Sequence, residues 1–325
     1  MVDPFGRTID YLRLSITDRC NLRCLYCMPP EGVGWIPHNE ILRFEEILKI
    51  CRIFASMGIK AIKVTGGEPL VRRGAVDLIK ELKAINGIER VSLTSNGVLL
   101  GEYIDKIFAA GCEAVNISLD TLNEEKYRSL TGSDGLGIVL SVIDRALELD
   151  FKIKINCVPM RGFNEEDIVK LASMAKNKNI TVRFIELMPL GIAAGLQPIP
   201  ADGVISLIES EHGPLKISSQ KLGYGPAKYY TLLGFAGFIG LISAVTHCFC
   251  KNCNRLRLTS SGILKPCLFS DLNIDLRGLV RKGACDGEIL EAIMNLIIKK
   301  PAGHNFGEVA EKHDHCQKEM FRIGG

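Results

Sequence analysis

Six short segments of this chain alternate apolar with polar side chains, and stretches of helical periodicity separate them. The segments are "YLRLSIT" (11–17), "KAIKVT" (60–65), "RVSLTS" (90–95), "AVNISL" (114–119), "KIKINCV" (152–158) and "TVRFIEL" (181–187). Between them lie amphipathic runs such as "FEEILKICRIFASMG" (44–58) and "GLGIVLSVIDRALELD" (135–150). A strand–helix rhythm of this length demands parallel strands joined by crossover helices. Parallel strands covered on both faces normally read as unbroken apolar runs, and these do not. Leu12 and Leu14 alternate with Arg13 and Ser15, Ile62 and Val64 with Lys63 and Thr65, and Ile153 and Ile155 with Lys154 and Asn156. One face therefore packs on helices, while the other is lined with cations, hydroxyls and amides. A solvated antiparallel sheet would explain the alternation but not the crossover rhythm. The expectation is an α/β fold whose six strands form a partial barrel or a strongly curved open sheet around a polar lumen. Its Arg and Lys side chains suggest a polyanionic ligand.

From about residue 190 the rhythm breaks. "GIAAGLQPIP" is a Gly/Pro-punctuated loop, "KYYTLLGFAGFIGLISAV" reads as strand without regular helices, and a helix closes the region at 286–299. The expected division is a barrel over 1–190 and a smaller C-terminal region over 191–325. A formal net charge of +3 excludes broad electrostatic capture of nucleic acid, so anion recognition must be local. The longest apolar stretch, 235–245, falls well short of the roughly 20 residues of a membrane span. The start, "MVDPFGRTIDYL", shows no basic segment followed by an apolar core. A cytoplasmic protein is expected, with neither nucleic acid nor membrane as a partner.

Twelve cysteines in a cytoplasmic chain point to metal or cluster ligation rather than disulfides. Cys51, Cys112, Cys157, Cys248, Cys285 and Cys316 are mostly scattered and read as ordinary thiols. The other six form two groups. Cys20, Cys24 and Cys27 have C-x3-C-x2-C spacing, one ligand short of a complete site. They suit zinc with a distant histidine, or three irons of a 4Fe–4S cluster with the fourth iron open. Cys250, Cys253 and Cys267 are again one ligand short. A structural zinc ribbon would account for that spacing. However, Arg255 and Arg257 alternate with Leu256 and Leu258 beside the ligands, which points two guanidinium groups to one side, as phosphate recognition requires.

Tyr26, just ahead of Cys27, and "TGGEP" (65–69), at the end of the next strand, complete a pattern that resembles the radical S-adenosylmethionine (SAM) superfamily. Paired glycines there allow close backbone approach to a ligand, and Glu68 adds a carboxylate. The resemblance implies that the open iron holds the amino and carboxylate groups of SAM, whose reductive cleavage yields a 5′-deoxyadenosyl radical. Adding "RFIELMPLG", "FCKNCNRLRLT" and the terminal "GG", the whole chain resembles the MoaA family, the GTP 3′,8-cyclases. That family catalyses the first step of molybdenum-cofactor biosynthesis, from GTP to (8S)-3′,8-cyclo-7,8-dihydroguanosine 5′-triphosphate.

The family resemblance implies a partial six-stranded (β/α) barrel with two 4Fe–4S clusters, on Cys20, Cys24 and Cys27 and on Cys250, Cys253 and Cys267, with GTP between them. It places SAM against Tyr26, Gly67, Ser118 and Met188. GTP would meet Arg13, Lys63, Thr94, Lys154, Arg183, Asn254, Arg255, Leu256 and Arg257, and the tail glycines Gly324 and Gly325 would reach into the site. The product would pass to cyclic pyranopterin monophosphate synthase, and an electron donor not identified by the sequence would feed the clusters. A homodimer is compatible with the resemblance. The chain departs from the family pattern at Lys63, often an arginine, and at Ala244 and Cys248, where prolines are expected. The tract His313–Cys316 matches nothing in the family. The competing readings are another radical SAM reaction with an auxiliary cluster, and a zinc-stabilised nucleotide-binding module.

Overall fold

The structure, a computed structural model, describes residues 1–29, 31–304 and 320–322. Gly324, Gly325 and the His313–Cys316 tract lie outside the described residues. Strand and helix alternate as the periodicity requires: β1 (Tyr11–Ser15), α1 (Phe44–Ser56), β2 (Ala61–Thr65), α2 (Ala75–Lys83), β3 (Arg90–Ser95), α3 (Ile104–Ala109) and β4 (Ala114–Ser118). After α4 (Glu124–Thr131) and α5 (Leu136–Glu148) come β5 (Lys152–Cys157), α6 (Asp167–Asn177) and β6 (Thr181–Ile185). Each strand of β1–β6 pairs in parallel with the next. Their apolar positions, Leu12, Leu14, Ile62, Val64, Val91 and Leu93 among them, are wholly buried in one core with Ile47, Ile50 and Ile79 of the helices. Hydrophobic burial of that outer face holds the sheet, at about 25 cal/mol per Å². The alternate face remains for the lumen.

The later part of the chain departs from expectation. It begins with a regular helix, α7 (Ala201–His212), where irregular chain was expected. Val204 and Ile208, one turn apart, are its buried anchors, and Gly203 dilutes its helical signal. Beyond it come β7 (Lys216–Ile217), β8 (Lys228–Thr231), β9 (Phe238–Ile242), β10 (Arg255–Leu258), β11 (Ile263–Lys265), β12 (Ile274–Asp275), α8 (Leu276–Arg281) and α9 (Asp286–Ile298). These strands add to both edges of the six-stranded core. Strand β9 pairs in parallel with β6, and β10 in parallel with β1 with Arg13 opposite Arg257. The sheet thus has twelve strands in the order β12-β11-β10-β1-β2-β3-β4-β5-β6-β9-β8-β7. Among the described residues no helix is long and apolar enough to cross a membrane.

Candidate active site

At the C-terminal end of the barrel strands, the loop after β1 carries the first cysteine triad. Cys20, Cys24 and Cys27 line one cavity of about 260 Å³ together with Tyr26, Gly67, Ser118 and Met188. Backbone bonds fix the loop: Arg23 N–H donates to Thr131 O (2.8 Å) and Leu25 N–H to Leu130 O (2.9 Å). The Tyr26 hydroxyl donates to Asp120 Oδ2 at 2.8 Å. The Leu22 amide donates to Cys20 Sγ at 3.4 Å. Burial pushes the Cys24 thiol well up, and neighbouring Cys27, Asp120 and Cys20 push it further.

The glycines of "TGGEP" serve the fold more directly than expected. A Cβ on Gly66 would sit 2.7 Å from Thr17 O, and one on Gly67 would sit 2.3 Å from Arg19 O. The close approach is therefore to the backbone that leads into Cys20, which Gly67 N–H and Glu68 N–H anchor by bonds to Thr17 O and Arg19 O, each 2.8 Å. Glu68 is fully buried and accepts from the Leu70 amide (3.1 Å), the Asn96 amide (2.7 Å) and the Ser95 hydroxyl (3.1 Å). Its carboxylate clamps β2 to β3.

The cations meet where the sequence pattern puts them. Arg13, Thr94, Arg255 and Arg257 line the cavity of the first triad. An adjoining cavity of about 270 Å³, towards the other end of the barrel, is lined by Arg13, Lys63, Thr94, Lys154, Arg183 and Arg255. Arg183 donates to Asn156 Oδ1 (2.9 and 2.6 Å) and to Asn116 Oδ1 (2.6 Å). Burial holds the Lys63 ammonium well below the usual lysine range, and Arg183, Arg13 and Lys154 depress it further. Lys154 falls to about 7 through burial and the charge of Arg183. Burial, with Arg13 and Arg255 beside it, also lowers Arg257 well below its ordinary value. The wall carboxylates are already engaged: Glu113 with Arg90 and Lys152, and Glu186 with the Ala201, Val245 and Thr246 amides.

Two expected GTP contacts, Asn254 and Leu256, are not among the residues that line these two cavities. The Leu256 side chain is fully buried in the apolar core, as its alternation with Arg255 and Arg257 dictates. Asn254 donates its amide to Asp10 Oδ1 (2.7 Å) and Tyr224 O (3.2 Å).

The second triad lines a small recess of about 50 Å³ that also holds Met188, Arg255 and Arg257. Burial tends to raise the Cys253 thiol, but Arg255 and Lys300 outweigh it and bring it down to about 7. Burial raises Cys250 to about 11, with Cys248, Cys267 and Cys253 adding to it. Cys51, Cys112 and Cys157 are buried, as ordinary thiols are, whereas Cys248 and Cys285 are exposed. Among the described residues no group of three or more His, Cys, Asp or Glu closes around a single metal ion. Sequence reasoning missed Asp120, Lys300 and the segment Lys221–Pro226, which covers the cationic cavity and gives Lys154 a partner in the Leu222 carbonyl. A "KKP" after a helix reads as a solvated end, and a Gly-rich loop does not name what it covers.

Over 325 residues, and all of both chains, the sequence is 43% identical to the GTP 3′,8-cyclase of Clostridium perfringens (strain SM101 / Type A). Over 330 residues it is 45% identical to that of Pelotomaculum thermopropionicum (strain DSM 13744 / JCM 10971 / SI), again with full coverage of both. The chain belongs to the GTP 3′,8-cyclase family. Residues 14–175 match the Radical SAM superfamily, and residues 180–306 match Molybdenum Cofactor Synthesis C. GTP 3′,8-cyclases form a SAM- and Fe–S-dependent family of radical enzymes. Among solved structures, Streptococcus suis SuiB bound to S-adenosylmethionine shares the fold, with a TM-score of 0.60 over 95% of this chain and 77% of that one at 16% identity.

Proposed function

We propose that this chain performs the GTP 3′,8-cyclase reaction with one 4Fe–4S cluster on each cysteine triad. SAM would bind over Cys20, Cys24 and Cys27, and GTP would lie in the lumen between the triads. The observation that carries the reading is the cationic lumen. Arg13, Lys63, Lys154, Arg183, Arg255 and Arg257 converge on adjoining cavities that also reach the first triad. Burial, and after it the charge of neighbouring cations, depresses Lys63 and Lys154, and a bound polyphosphate would offset both.

The donor sets fit the groups they would hold. Each triad offers three thiols at one cavity wall and leaves a fourth position to a ligand, as a site-differentiated cluster requires. Bound at such a cluster, SAM supplies on one-electron reduction the 5′-deoxyadenosyl radical that removes the ribose 3′ hydrogen. The chain's own residues bind and orient. Tyr26 is fixed by Asp120 at the wall of the cavity that SAM would fill, the paired glycines hold the loop of Cys20 in place, and Arg183, held by Asn116 and Asn156, would meet the phosphates. Thr94 and Arg13 border both cavities, at the junction where ribose would sit. This positioning, with water excluded, is the protein's share of the catalysis.

Residues 1–190 would supply the SAM barrel and 191–325 the second cluster and the tail. The product would go to cyclic pyranopterin monophosphate synthase in the cytoplasm, with electrons from a separate donor. The test is anaerobic reconstitution followed by incubation with SAM, dithionite and GTP. Both 5′-deoxyadenosine and the 3′,8-cyclised nucleotide should form, and guanosine should bind far more weakly than GTP. Equal affinity for guanosine and GTP, or zinc in place of iron, would remove the reading.

A further inference from the structure

Lys300 follows α9 and is buried, with 3% of its surface exposed. Its ammonium donates to Arg255 O at 2.9 Å, to Pro266 O, and to Cys253 Sγ at 3.9 Å. These acceptors belong to the two separate stretches that carry Cys253 and Cys267. Among the described residues Lys300 has no carboxylate partner. Another buried cation nearby, Arg7, is paired with Asp3 Oδ2 at 2.5 Å. Arg7 also donates to Cys250 O (2.9 Å), Pro301 O (2.8 Å) and Ala302 O (3.1 Å), and so pins the chain that carries Lys300 against the same triad.

A buried ammonium without a counter-anion is costly, and of its three acceptors only the sulfur becomes negative when the site is filled. We propose that Lys300 is a positioning residue for the second triad, which staples the Cys253 and Cys267 stretches together and offsets the negative charge of a thiolate-held cluster. The inference rests on the two-cluster reading above. Hydrogen bonds to ligand sulfurs and nearby positive charge favour the reduced, more negative state of a cluster. Lys300 should therefore raise the second cluster's reduction potential and keep it readily reducible.

The experiment uses the full chain with Cys24→Ala in the background, so that the second cluster alone is observed. Its potential is measured by EPR-monitored redox titration with Lys300, Lys300→Met or Lys300→Arg. Lys300→Met should lower the potential by at least about 59 mV, a tenfold change in the one-electron equilibrium, and Lys300→Arg should lie nearer the parent. An unchanged potential in an iron-loaded Lys300→Met chain would overturn the charge role. Amide exchange over residues 253–268 of the metal-free chain tests the staple separately. It should quicken in Lys300→Met and recover in Lys300→Arg, and unchanged exchange would overturn the staple. If the parent binds no iron at the second triad, the two-cluster reading fails, and the exchange result still decides whether Lys300 joins the two stretches.

Discussion

Raising the pH from 7.5 to 8.5 should weaken GTP binding by nearly tenfold, through the lysines of the lumen. In the empty site Lys154 is held down to about 7 by burial and by Arg183. Bound phosphates would return it towards the ordinary lysine range near 10.4. Below about 7 the ammonium is charged in both states, and binding takes up no proton from it. Above about 7 each binding event must recruit a proton, so affinity falls by up to one log unit per pH unit. For a free pKa of about 7, the charged fraction drops from about 24% to about 3% between pH 7.5 and 8.5, which is about an eightfold loss. Lys63, also depressed, should steepen this. The terminal phosphate, with a second pKa near 6, is already ionised in this range and does not mask the effect. Anaerobic calorimetry at constant ionic strength, in two buffers of different ionisation enthalpy, reads both the affinity and the proton uptake. Lys154→Arg, charged throughout, should reduce the slope by about one unit. The same proton accounting gives stability the opposite slope. Between about 7 and 10.4 the unfolded chain binds more protons at Lys154 than the folded one, so the empty protein gains stability as pH rises, and stabilisation by GTP is greatest at the lower end. A wild-type affinity flat from pH 7.5 to 9, with no proton uptake, would refute the reasoning.

Three further outcomes test other parts of the site. Arg183→Ala removes a guanidinium oriented by Asn116 and Asn156. GTP affinity should fall by about ten- to a hundredfold, the loss of one charge-assisted contact of roughly 1.5–3 kcal/mol, and guanosine affinity should barely change in the same titration. Gly67→Ala would force a Cβ to 2.3 Å from Arg19 O. Overpacking against backbone costs about 1–3 kcal/mol or more, so melting should fall by several degrees and iron at the first triad should be lost; a fully loaded variant with unchanged melting would contradict this. Cys24→Ala should halve the iron from about eight to about four per chain and abolish 5′-deoxyadenosine formation, as read by anaerobic iron analysis and chromatography.

The strand face that carries Arg13, Lys63, Thr94, Lys154 and Arg183 was legible because period-2 alternation is a local signal, and all five positions reach the lumen cavities. The three-cysteine spacings were legible for the same reason. Tertiary partners were not. Nothing near "NRLRL" says that Arg257 will stand opposite Arg13 on a neighbouring strand, and nothing near "KKP" says that Lys300 will reach Cys253. Leu256 was legible in the same way, its alternation with Arg255 and Arg257 putting its side chain in the core. The paired glycines were recognised as a close approach, but which chain approaches them depends on the loop before Cys20, and that is a matter of packing.

The flanking of the six-stranded core by β9 and β10 bears on how the molecule is made. During synthesis β1 emerges early, yet one of its two neighbours is β10, from near the other end of the chain. Until then both β1 and β6 present unpaired backbone edges, the template along which nascent chains join one another. A ribosome-stalled or truncated product ending before β9 should therefore associate with its own copies rather than persist as a monomeric half-barrel. The strand that covers the edge of β1 is the same one that sets Arg257 opposite Arg13, so one pairing both protects the edge and completes the anion site.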